Sequence, residues 1–374
     1  EPSRGYIGIT DRSYIQSESF ITFNKEIGIH NFSIVGGQSI SKDIEKNAKE
    51  EATNLLSKTQ LYYNLFASDL EQTTIHSDYV QQQLLSFFGR INYILADRFL
   101  FTFTFRSDGA SVLAEGHKRQ NFPSGAFAVK MQEFSFIKSI TAISELKPRI
   151  SYGTSGNYSI APYSTAARLG ATMYSWDESP ATGYYLRTIG VKDLEWETTR
   201  TVNVGLDFGL LKNRVYGSID IYKQNTTDLL LDARVPSFSG YYSVIDNIGE
   251  TENKGIEALI NSTNISTESG FKWSTGFTVS HNKEKIVKLN QDVLEDINTG
   301  LFVGHPIDVH YDYKKIGIWQ QSDSALASLY WYRPGEIRIE DLNNDTAISA
   351  EDKQILGTPR PKVTFGLNNR FEYK

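Results

Sequence analysis

The chain has 374 residues, no cysteine, and 38 basic against 44 acidic side chains, for a formal charge of −6. The lack of thiols rules out a disulfide framework or a thiolate metal centre within it. With neither a basic patch nor a nucleic-acid motif, nucleic acid is not an expected partner. No run of about 18 apolar residues is present, which excludes a helical membrane span and leaves a β-barrel open, since strands hide their apolar residues by alternation.

Alternation and β-propensity predict eleven strands, at 18–26, 31–41, 84–95, 98–108, 123–133, 145–154, 199–209, 214–227, 253–266, 270–282 and 362–372. In the fourth, Phe99, Phe101, Phe103 and Phe105 point one way while Thr102, Thr104, Arg106 and Asp108 point the other. In the seventh, Val202, Val204, Leu206 and Phe208 oppose Thr201, Asn203, Gly205 and Asp207. In the tenth, Phe271, Trp273, Thr275, Phe277 and Val279 oppose Lys272, Ser274, Gly276 and Ser280. Strands with two such faces suit a wall between lipid and a wet lumen, and a single one would equally suit a soluble β-sandwich.

The links after the first, third, seventh and ninth strands are tight, with Gly28, Ala96-Asp97, Lys212-Asn213 and Ser269-Gly270, and the fifth link is short. Those after the second, fourth, sixth, eighth and tenth are long. Up-and-down antiparallel order then places short turns at one rim and long loops at the other, the asymmetry of outer-membrane barrels. The longest link, 283–361, is expected to be extracellular. Residues 43–62, with Ile44, Ala48, Ala52, Leu55 and Leu56 among Lys and Glu, read as an amphipathic helix in a loop.

Within the longest link, DLNNDTAISAED at 341–352 has the spacing of a twelve-residue calcium loop. Asp341, Asn343 and Asp345 would offer side-chain oxygens, Ala347 its carbonyl and Asp352 a final carboxylate. Thr346 stands where such loops have glycine, and Asp352 where they have the longer Glu. Both readings stay open: a structural Ca²⁺, or a metal-free turn closed by its own Asx side chains. No cofactor is required by either.

Aromatic residues crowd the loops: Tyr174, Trp176, Tyr184, Tyr185, Trp196, Tyr241, Tyr242, Trp319, Trp331 and Tyr332. Flat rings can stack on a sugar or anchor a partner, and they also form interfacial girdles or pack within loops. Tyr174, Trp176, Tyr241 and Tyr242, placed farthest from strand ends, are the preferred ligand contacts. The six histidines have no metalloprotease spacing and there is no nucleophile elbow, so no enzyme is expected.

Five stretches together resemble one family: FFGRINYILADRFLFTFTFRSDGAS (87–111), NFPSGAFAVK (121–130), ELKPRISYGTSGN (145–157), LEWETTRTVNVGLDFGLLKNRVYGSIDIYKQNTTDLLL (194–231) and NIGETENKGIEALI (247–260). They are similar to SusC/RagA TonB-dependent transporters of the Bacteroidetes outer membrane. The resemblance implies an importer in the cell outer membrane, with a barrel of about 22 strands around a plug. It also implies a SusD-like lipoprotein lid, energy through TonB, and an oligosaccharide or peptide cargo, with glycan-derived oligosaccharide preferred. Residues 1–374 would be part of the barrel domain, without plug or TonB box. An odd set of eleven strands would leave open edges in lipid, so the chain is expected to be a fragment. A barrel adhesin or enzyme and a secreted glycan-binding sandwich are the alternatives.

Overall fold

A computed structural model describes residues 3–55, 59, 61–66, 68, 73–177, 179–241, 243–290 and 293–373. The first strands of the large sheet are β1 (Arg4–Ile27), β2 (His30–Thr53), β3 (Thr74–Leu95), β4 (Phe99–Ala110), β5 (Arg119–Val129) and β6 (Ile143–Asn157). A hairpin of β7 (Arg168–Trp176) and β8 (Ser179–Thr188) precedes β9 (Glu197–Leu210) and β10 (Val215–Thr227). A second hairpin, β11 (Leu230–Arg234) and β12 (Ser243–Asn247), leads to β13 (Glu250–Ser266) and β14 (Phe271–Lys288). Six short strands, β15 (Glu295–Asp296), β16 (Leu301–Phe302), β17 (His310–Tyr313), β18 (Lys315–Ile318), β19 (Ile337–Ile339) and β20 (Lys353–Gly357), pair within the longest link, and β21 (Val363–Tyr373) closes the series.

Eleven strands form one sheet in the order β1-β2-β3-β4-β5-β6-β9-β10-β13-β14-β21, so each predicted strand is found and each lies beside its predecessor in the series. One large meandering sheet, with every long link adding only two-stranded pieces, is not the two packed sheets of a sandwich. The tight turns bend through left-handed backbone: Ala96 and Asp97 both have φ of 54°, the primed-turn geometry that matches strand twist.

Two expectations are corrected. Residues 43–53 are strand rather than helix, continuing β2 between Ser13 of β1 and Gln81 of β3 at the level of Ile44. The four-residue spacing of Ile44, Ala48 and Ala52 places them on one face of a strand as well as of a helix, and hydrogen-bonded neighbours on both sides decide the outcome. Leu56 lies outside the described residues. The alternation of link lengths is also looser than read: the fourth link is 111–118, shorter than the fifth at 130–142, because β4 and β5 pair further toward that rim. β14 likewise continues to Lys288, so the longest link is 289–362.

The chain divides into two compact units. The first comprises Glu1–Ser139, Lys147–Val202 and Asp228–Ile248. Its register aligns Phe32, Tyr93, Phe101, Phe127 and Ile150 across five strands. Rings meet along that row at 4.7 Å (Phe32 and Tyr93), 5.8 Å (Tyr93 and Phe101) and 4.9 Å (Phe101 and Phe127). Each such pair contributes about 0.5–1.5 kcal/mol beyond its buried area. The opposite face is polar: Thr102 donates to Asn92 (3.0 Å), Arg90 to Thr104 (3.2 Å), and Arg106 to both Asp108 (2.7 Å) and Ser86 (2.8 Å). A small core of Ala110, Val112, Leu113, Phe122 and Trp196 sits where the sheet meets its loops.

The second unit comprises Ile140–Leu146, Asn203–Thr227 and Gly249–Lys374. Its register repeats the division, with Ile219, Ala258, Val279 and Phe365 in one row and Asp220, Glu257, Ser280 and Thr364 in the neighbouring row on the other face.

Candidate functional site

Side chains at strand ends hold the loops of the first unit. Glu197, opening β9, accepts the Leu230 amide on one carboxylate oxygen (2.8 Å) and the Asn157 side-chain amide on the other (2.6 Å). Asn247, closing β12, accepts the Glu195 amide at 2.8 Å and donates to the carbonyls of Glu195 and Asp228, both at 2.9 Å. These contacts satisfy backbone groups that leave the ladder at the rim. Behind them Trp196 is buried, its indole N–H donating to the Lys118 carbonyl at 3.0 Å and its ring meeting Phe122 and Tyr158 edge-on. Glu195, Trp196 and Glu197 of the LEWE stretch and Asn247 of the NIGE stretch supply these anchors.

On that base stands the β7–β8 hairpin. Its register pairs Gly170 with Tyr185 and Thr172 with Gly183. A Cβ at Gly170 would meet the Tyr185 ring at 2.7 Å, and one at Gly183 the Tyr174 ring at 2.9 Å. The two glycines therefore let both rings lie flat against backbone. Tyr174 meets Trp176 nearly perpendicular, at 88° and 6.3 Å between centroids. Tyr174, Trp176 and Tyr185 thus share one hairpin face, and Trp176 is 70% exposed. The Tyr241 hydroxyl donates to the Leu186 carbonyl at 3.1 Å, tying a second loop to β8.

Of the four preferred contacts, Tyr174 and Trp176 come together, Tyr241 reaches the same hairpin, and Tyr242 lies outside the described residues. Tyr185, one of the loop aromatics but not among the preferred four, joins them on this face, and the sequence signal for it is Gly170 opposite its ring. Other loop aromatics divide: Trp196 and Trp319 are buried packing residues, while Trp331 is exposed.

In the second unit a shallow trough on the polar face is lined by Ser218, Asp220, Glu257, Thr278, Ser280 and Thr364. Nearby, Arg360 bridges Asp308 (2.6 Å) and Glu284, clamping the longest link to β14.

At 341–352, Asp341 accepts the amides of Asn344 (2.7 Å) and Thr346 (2.9 Å) and the Tyr330 hydroxyl (3.0 Å). Asp345 accepts the Ala347 amide (2.8 Å) and the Asn343 side-chain amide (3.0 Å), and Asn343 accepts the Asp345 amide (3.1 Å). Asp352, fully buried, accepts the amides of Leu342 (2.9 Å) and Ser349 (2.7 Å). Burial pushes the Asp341 carboxyl up, but the Thr346 amide, the Tyr330 hydroxyl and the Asn344 amide outweigh it and hold the group below the usual carboxylate range. Thr346 takes φ of 65°, the left-handed turn that glycine provides in calcium loops. The oxygens are of the calcium-binding type, yet each of the three carboxylates is already committed to the loop's own donors. Among the described residues no three His, Asp or Glu side chains gather as a metal cluster.

The model of the family described as TonB dependent receptor-like, beta-barrel, matches residues 6–368. TonB-dependent receptor P3 of Formosa agariphila is 38% identical over 96% of this chain, and TonB-dependent receptor SusC of Bacteroides thetaiotaomicron is 31% identical over 95%. The chain spans 37% and 36% of those two relatives. The RagAB peptide transporter superimposes with a TM-score of 0.76 at 22% identity, over 99% of this chain and 40% of that one, a likeness of fold.

Proposed function

Because the chain belongs to the TonB-dependent receptor-like β-barrel family, whose members are outer-membrane transporters and not enzymes, we propose that it supplies wall strands and outer loops of a nutrient importer. The phenylalanine face of β4 and its neighbours lies against lipid, and the face with Thr102, Thr104 and Arg106 looks into the lumen. A SusD-like lipoprotein covers the loops, and TonB supplies energy.

The cargo we propose is a glycan-derived oligosaccharide. The supporting observation is one exposed hairpin face on which Tyr185 and Tyr174 lie flat over Gly170 and Gly183 and Trp176 stands edge-on to Tyr174. Rings fixed in this way present area at little entropic cost and stack on the apolar faces of sugars. Calorimetry on the full-length protein, with panels of oligosaccharides and of peptides, tests the reading. An oligosaccharide should bind, and Tyr174→Ala with Trp176→Ala should weaken it on the order of tenfold or more. Binding of peptides alone would make this a peptide importer of the same family.

For 341–352 the contacts support the turn closed by its own side chains, and we propose that structural role for it. The alternative, a structural Ca²⁺ held by Asp341, Asn343, Asp345, the Ala347 carbonyl and Asp352, requires an ion to share those oxygens with the loop amides.

A further inference from the structure

The apolar face of the second unit ends in a cluster of lysines on the side of the long links. Register places Ile221, Ile256, His281 and Val363 in one cross-strand row. The next row outward on that face is Lys223, Lys254 and Lys283, and the one beyond it Asn225, Glu252 and Lys285. Glu252 sits among the ammonium groups, 2.9 Å from Lys223, 3.0 Å from Lys254 and 3.3 Å from Lys285. Its side chain is 12% exposed while those three lysines are 43–56% exposed. Further out Glu250 stands opposite Lys288, a balanced pair. Glu252 thus gathers three lysines and neutralises one, and with Lys283 the patch keeps an excess of three positive charges directly above apolar rows.

We propose that this patch binds the phosphate headgroup of an anionic lipid in the outer leaflet, whose chains lie along Ile221, Ile256, Ile219, Ala258, Val279 and Phe365. The inference rests on the reading that this apolar face meets lipid. Two features argue for a lipid over other occupants. The charge is complementary to phosphate, and the basic patch is continuous with the apolar rows, so headgroup and chains are matched by one surface. Lysine stems can lie along the apolar rows and lift their ammonium groups to headgroup level. A carboxylate that fixes three lysines side by side removes part of the ordering cost when a phosphate arrives.

The test uses the full-length protein in nanodiscs of phosphatidylcholine doped with lipid A, either bisphosphorylated or dephosphorylated. After gentle detergent extraction, native mass spectrometry counts the lipid A retained. Lys254→Gln with Lys283→Gln removes two charges and leaves Glu252 paired with Lys223 and Lys285. Wild type should retain bisphosphorylated lipid A preferentially, and the double variant should lose that preference on the order of tenfold or more. Equal retention of the two lipids by wild type, or unchanged retention by the variant, would overturn the proposal. A photoactivatable phosphatidylcholine in the same discs separates the two failures. Crosslinks at Ile256 and Phe365 without phosphate preference would sink the lipid site alone, whereas no crosslink on this face would sink the wall orientation with it.

Discussion

Asp341 illustrates how a single side chain decides the state of a loop. Its carboxyl is held below the usual range in the folded chain, against about 3.9 when unfolded. A depressed folded value means its contribution is present above the unfolded value and is lost as pH falls through the folded one. The amides of Thr346 and Asn344 should therefore lose hydrogen-exchange protection below about pH 4, and Asp341→Asn should flatten that dependence. On the full-length protein at neutral pH, calorimetry with millimolar Ca²⁺ should give no heat attributable to this turn. A calcium-dependent heat abolished by Asp341→Ala and Asp345→Ala would instead establish the ion. The sequence showed which oxygens cluster at 341–352, but the same D-x-N-x-D spacing that aims oxygens at a cation also aims them at amides. Only the contacts distinguish the two. For the aromatics the sequence showed composition without grouping: Trp176 and Trp196 look alike as letters, yet one is exposed on a hairpin and the other is buried behind Glu195 and Glu197.

At the scale of the element, β4 offers the sharpest contrast. Phe103 is 53% exposed on the aromatic face, and Thr104 follows it on the polar one beside Arg90. Phe103→Arg should cost about 2–4 kcal/mol at mid-membrane depth, while Thr104→Arg should be tolerated with little loss. Urea titration of the full-length barrel in lipid vesicles checks both, and equal costs would remove the lipid assignment. The strands of the large sheet were legible because one apolar and one polar face write themselves into every second residue. Their outer halves were not. Between Lys42 and Glu51 both faces of β2 are rich in charge, the period-2 signal fades, and pairing with β1 and β3 alone makes the segment a strand.

For the molecule as a whole, antiparallel order puts alternate links at opposite ends of the strands, which in the proposed wall are the two sides of the membrane. Reagents applied to intact cells should reach Ser179, Gly183, Ala325 and Arg333, and should spare Lys212 and Asn213 in the turn between β9 and β10. Labelling of that turn from outside would invert the topology. Connectivity was readable from turn residues such as Gly28 and Ala96-Asp97, whereas hairpins within the links were not: β7–β8 is exposed on both faces, and β11 and β12 have five residues each, too few to set a pattern. β1 and β2 are each 24 residues and remain paired to their ends, a length of roughly 80 Å, where a tilted crossing of the hydrocarbon needs only about 9–11 residues. In the proposed wall about half of that ladder stands clear of the bilayer, a stiff parapet that holds the outer links away from the lipid.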